Sequence, residues 1–87
     1  MPAGASPNVE AYELRLAPRA ISASEPHAKG TAEDLIVLTG TIRLRVSDEV
    51  HDLGVGDSVF FLADVPHSYE NTGRVEARCH DVIIYAR

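Results

Sequence analysis

Eighty-seven residues, 45% hydrophobic and 24% charged, suit one compact domain with a thin core, since a chain of this size buries only about 60–65% of its unfolded surface. Thirteen acidic side chains against one lysine, Lys29, and seven arginines give a formal charge of −5, which excludes a basic face for nucleic acid. The single cysteine, Cys79, excludes an intramolecular disulfide and a thiolate-only zinc site.

Residues 1–9 are rich in Pro, Ala, Gly and Ser and read as a loose leader, with residues 10–87 as a single folded domain. From Ala11 the chain alternates: Tyr12, Leu14 and Leu16 share a face opposite Glu13 and Arg15, the period of a half-buried strand, and Pro18 ends it. Ile21 to His27 is a second extended stretch broken at Pro26, with a bend at Gly30. Leu35–Leu38 and Ile42–Val46 flank Thr39-Gly40-Thr41 and are expected to pair as a hairpin. Ser47-Asp48 turns the chain into a short strand ending at Leu53, and Gly54–Asp57 turns it again into Ser58–Leu62. Of Phe60 and Phe61, one belongs to the core and one to the wall, in an order the pattern leaves open. Ala63–Pro66 is a turn, His67–Glu70 a strand, Asn71–Gly73 a turn, and Val75–Tyr85 the last and longest strand. On that strand His80, Val82 and Ile84 make a more apolar face than Cys79, Asp81 and Ile83, so the former is expected to line the core, with His80 at its end. Nowhere does a helical period persist, which predicts an all-β sandwich or barrel of short antiparallel strands.

The stretch EPHAKGTAEDLIVLTG resembles the first cupin motif. His27 matches its first histidine, Lys29 stands where the second belongs, Glu33 is its glutamate and Gly40 closes it. GVGDSVFFLADVPHSYEN is similar to the second motif: Gly54, His67 and Asn71 fall at its glycine, histidine and asparagine, while Leu62 and Asp64 replace the usual proline and glycine. The resemblance implies a cupin-type double-stranded β-helix, a jelly-roll barrel. More narrowly, the run from YELRLAP to the closing strand resembles the C-terminal sensor domain of helix-turn-helix plus cupin transcriptional regulators. That implies a small-molecule ligand and, with no recognition helix in these residues, no direct nucleic-acid binding.

The resemblance also points His27, Glu33 and His67 into the barrel as metal ligands. Two imidazoles and a carboxylate suit a divalent transition ion, Zn, Fe, Mn or Ni, with positions left open for water or ligand. An ammonium at Lys29 on the same face opposes a dication. In the competing arrangement no metal is bound, and Lys29, Glu33 and Tyr69 hold a small polar ligand. If Gly30 bends the chain, Lys29 swings outward and that objection lapses. Tyr69 shares the His67 face by period-two spacing, as ligand contact or as barrel filler. Asn71 shapes a turn, His51 faces solvent, and Cys79 lacks a neighbouring base to make it a nucleophile. Two functions follow: a sensor module binding a small polar ligand, or a small metal-dependent oxygenase or isomerase using His27, Glu33 and His67. A homodimer is expected to supplement the thin core. The lone thiol fits a reducing, cytoplasmic location, and no apolar run reaches the eighteen residues of a membrane span.

Overall fold

The structure, a computed structural model, describes residues 8–85. Eight strands follow in order: β1 (Val9–Leu16), β2 (Ile21–Ser24), β3 (Ala32–Thr39), β4 (Ile42–Val46), β5 (Glu49–Leu53), β6 (Ser58–Leu62), β7 (His67–Glu70) and β8 (Ala77–Ile84). They form two antiparallel four-stranded sheets, β1-β8-β3-β6 and β2-β7-β4-β5. This is the all-β jelly roll that the motifs imply, and there is no helix among the described residues. Of the leader expected over 1–9, residues 1–7 lie outside the described residues, while Val9 already pairs with Ile84 in the first sheet.

Alternation builds the core. Leu35 and Val37 from β3, Ile42 and Leu44 from β4, Phe61 from β6, and Cys79 from β8 turn inward and meet between the sheets. Leu35 and Leu44 are completely buried, each worth about 1.5–3 kcal/mol in removed apolar surface. The Phe60–Phe61 order is thereby settled: Phe61 is core, and Phe60 stands on the outer face.

The expected hairpin between Leu35–Leu38 and Ile42–Val46 does not form. β3 lies in the first sheet and β4 in the second, so the chain passes from one layer to the other at Gly40. Glycine is required there: φ is +76°, and a Cβ would sit 2.9 Å from the Ala77 Cα and from the Glu76 carbonyl oxygen. The true hairpin is β4–β5, closed by Ser47-Asp48 as read from the sequence, with Ser47 at φ 54°.

The last strand also takes the opposite phase from the one expected. Ala77, Cys79, Asp81 and Ile83 face inward, and His80 is exposed. Register shows why apolarity misleads here. Val82 and Ile84 lie on the outer face in the same cross-strand rows as Phe60 and Leu62, so this end of the sheet's outside is largely apolar. At its start the inside of β8 has room only for a small side chain, because the backbone of Ala77 meets Gly40. Tyr12 likewise departs from the half-buried face expected of it: at 45% it is exposed, and burial along β1 begins only at Leu14.

Candidate functional site

Glu33 sits on the inner face of β3 directly between Phe61 of β6 and Ile83 of β8, and it is 1% exposed. A carboxylate among such neighbours loses its hydration and requires partners from elsewhere. The opposite sheet supplies them. Register places His67 and Tyr69 on one face of β7, and Tyr69 donates its hydroxyl to Glu33 Oε1. The other oxygen, Oε2, lies 3.2 Å from His67 Nε2 and 3.2 Å from His27 Nε2.

Each imidazole is aimed by a different device. His67 is buried, and its Nδ1 lies 2.8 Å from the Val65 carbonyl oxygen. Since a carbonyl only accepts, Nδ1 carries the proton, and in the neutral ring the Nε2 lone pair faces Glu33. The Phe61 ring packs edge-on against His67 at 5.5 Å and holds its plane. His27 lies in the loop before β3, not on a strand. Its backbone N–H donates to Ala63 O at 3.0 Å, and Ala63 N–H donates to Thr31 O at 2.8 Å. These bonds tie the loop before β3 to the one after β6. His27 is half-buried, packed edge-on by Tyr85 at 6.5 Å, and it is where the cluster reaches solvent.

The donor atoms of His27, Glu33 and His67 all lie within 4.8 Å of one another. Metal–ligand bonds of about 2.0–2.2 Å set neighbouring donors about 3.0–3.5 Å apart, so the 3.2 Å separations already match a coordination edge. Glu33 Oε2 and His67 Nε2 are buried with no hydrogen-bond partner among the described residues. Two such atoms facing each other at ion-pair distance, without a shared proton in line, are a donor set suited to a cation. The residues present fit a divalent transition ion.

Lys29 is not brought into the cluster. It is exposed in the turn before β3, where Gly30 has φ 86° and donates its N–H to Asp64 Oδ2 at 2.9 Å. Asp64, which departs from the second motif's glycine, thus pins the turn that carries the lysine away from Glu33. Tyr69 is 5% exposed, with its hydroxyl on Glu33 and not at the rim. Burial and that hydrogen bond push its phenol well above the usual range. Asn71 shapes the turn as read: completely buried, it donates to Leu16 O at 3.0 Å and Val75 O at 2.8 Å and accepts from Gly73 N–H at 2.9 Å. His51 lies 3.2 Å from Glu49 Oε1 at the surface, away from the cluster. Burial pushes the Cys79 thiol up to about 11, with Asp81 adding to it, which suits a core residue and not a nucleophile.

Two buried polar side chains escaped the sequence reading. Asp81, on the inner face of β8, is pushed up to about 8 by burial and then by the neighbouring Glu33 charge, and its Oδ1 has no partner among the described residues. Thr31 is completely buried with its hydroxyl unpaired among the described residues. Its spacing of two from Glu33 was the signal that could have found it. Beside the cluster, a depression of about 370 Å³ is lined by Ser24, Arg45, Ser47, Pro66 and His67. A groove of about 410 Å³ opens between β5 and β6, and Phe61 belongs to its wall.

A family model described as a cupin domain matches residues 12–83. The HTH-type transcriptional regulator SutR of Escherichia coli (strain K12) is 40% identical over 78 residues, covering 90% of this chain and 44% of that protein. The chain therefore spans less than half the length of this curated relative. Among solved structures, the cupin domain of an XRE family transcriptional regulator from Enterobacter cloacae superposes with a TM-score of 0.88 at 31% identity, covering 92% of this chain and 84% of that one. An HTH_3 family transcriptional regulator from Vibrio cholerae superposes with a TM-score of 0.87 at 29% identity, covering 92% of this chain and 44% of that one.

Proposed function

The chain belongs to the cupin domain family, and from that premise we propose that it is the sensor module of a transcriptional regulator, capturing a small polar ligand at a divalent metal held by His27, Glu33 and His67. The observation that carries this reading is the convergence inside the barrel of two imidazole nitrogens, each 3.2 Å from one carboxylate oxygen, in a chain similar to a transcriptional regulator over 90% of its length. The ion would supply Lewis acidity and open positions for oxygen donors of the ligand. The protein's own part is to hold Glu33 through Tyr69, fix the His67 tautomer through Val65, and leave His27 as the accessible side. With Lys29 turned outward, the lysine–carboxylate pair of a metal-free pocket has no support. The domain acts as a homodimer in the cytoplasm, without contacting nucleic acid or membrane itself.

Elemental analysis of protein purified without chelator tests the centre. About one Zn, Fe, Mn or Ni per chain is expected, and His67→Ala and Glu33→Gln should each lose it while still folding by circular dichroism. Metal below stoichiometry that does not rise on reconstitution removes the centre. A screen of small carboxylates and polyols against the metal-loaded protein then tests the sensor reading, with a ligand-dependent rise in melting temperature expected. No response from any of them sinks it.

A further inference from the structure

Four strands end the two sheets: β1, β6, β2 and β5. Three of these are short, at four or five residues, whereas β1 has eight. Long edge strands present unpaired backbone groups and are normally guarded by a bulge, a proline or charged side chains, lysine above all. Between Val9 and Leu16, β1 has no bulge, proline or lysine, its register with β8 runs without a shift, and its charges, Glu10, Glu13 and Arg15, are of both signs, so they can pair with a second copy of the strand as well as repel other strands. Residues Val9 to Glu13 are exposed on both faces.

The direction of the free groups follows from one hydrogen bond. Tyr85 N–H donates to Asn8 O at 2.7 Å. In an antiparallel ladder, alternate opposed residues exchange their backbone bonds. Counting from Asn8, the even-numbered residues of β1 bond toward β8, while Val9, Ala11, Glu13 and Arg15 turn N–H and C=O to the open side. Among the described residues nothing takes those groups.

We infer that the free edge of β1 is where a second copy of this chain adds, antiparallel and about a twofold axis at Leu14, joining two sheets into one of eight strands. The inference deepens the dimer reading above and rests on it. Self-complementary charge selects both the occupant and the register. Centred on Leu14, the pairing sets Glu13 opposite Arg15 of the second copy and Arg15 opposite its Glu13, with Leu14 against Leu14 and Tyr12 against Leu16. Centred on Glu13, it would oppose two glutamates, which is unfavourable. Centred on Tyr12, it would set Arg15 against Val9 and leave no charge pair. Glu13 and Arg15 are exposed and already pair within the chain, with each other at 2.6 Å and with Arg78 at 3.1 Å from Glu13, so the dimer would exchange a weak solvent-screened pair within the strand for two across it.

The test is sedimentation velocity on the purified chain and its charge variants, each first checked for folding by circular dichroism. Wild type should be a dimer. Glu13→Arg and Arg15→Glu each replace two attractive cross-strand pairs with two repulsive ones and should weaken it about tenfold to a hundredfold. The double exchange E13R/R15E should restore it. An equimolar mixture of the two single variants should form a heterodimer, which effects on the folding of one chain would not produce. A monomeric wild type overturns the dimer reading itself. A dimeric wild type whose single variants remain dimeric, or whose mixed variants fail to associate, overturns only the β1 pairing.

Discussion

Asp81 is buried on the inner face of β8, and burial, then the charge of Glu33, push its carboxyl up to about 8. An unfolded aspartate titrates near 3.8, so between these values the folded chain keeps a proton that the unfolded chain has released. Stability from this group is therefore full at low pH, falls as pH rises from about 4 to about 8, and is flat above. Asp81→Asn keeps the shape and removes the titration. In thermal melts of chelator-treated protein across pH, the variant should gain on wild type progressively and most above pH 8, with little difference near pH 4; a constant offset would show that Asp81 does not titrate there. Sequence reading could not reach this residue. Alternation divides β8 into two faces without saying which is inner, and the apolar outer row of Val82 and Ile84 made the wrong one attractive. His27, Glu33 and His67 were legible because their spacing follows family motifs, and Tyr69 because it lies two residues after His67 on a strand. The orientation of Lys29 was not, since it depends on Asp64 reaching Gly30 across 34 residues.

Strand positions were read well wherever a turn residue marks them, and strand partners less so. Leu35–Leu38 and Ile42–Val46 were recognised as strands, yet their nearness in sequence suggested pairing, whereas the chain changes layers between them. At the crossing Gly40 lies close against Ala77 of β8, a long-range contact invisible to local pattern. Gly40→Ala combines left-handed backbone strain with a clash against backbone atoms, and should cost about 2–4 kcal/mol in chemical denaturation. Gly56, at φ +87° with nothing within 4 Å of a built Cβ, isolates the strain alone, and Gly56→Ala should cost about 1–2 kcal/mol. Equal losses at the two sites would show that the Gly40 contact contributes nothing. Asn71 illustrates the opposite case, a turn residue whose place was plain from type, although its bonds to two carbonyls outside the turn's own backbone could not be.

At the scale of the molecule, the candidate centre joins the two sheets: Glu33 belongs to the first, His67 and Tyr69 to the second. A cation held there binds the folded chain and not the unfolded one, so it should stabilise the whole barrel and not a single loop. With free metal at one hundred times its dissociation constant the gain is about 2.7 kcal/mol, which raises the melting temperature of a domain this size by roughly 10–20 °C. Calorimetry with and without chelator measures it, and an unchanged transition would place the ion, if any, outside the barrel. Cys79, completely buried on β8 and the chain's only sulfhydryl, turns that same cooperativity into a clock. A reagent such as a coloured aromatic disulfide can reach the sulfur only through openings that part the two layers, so at reagent concentrations where capture outpaces reclosing the pace of colour development in native buffer counts those openings one molecule at a time.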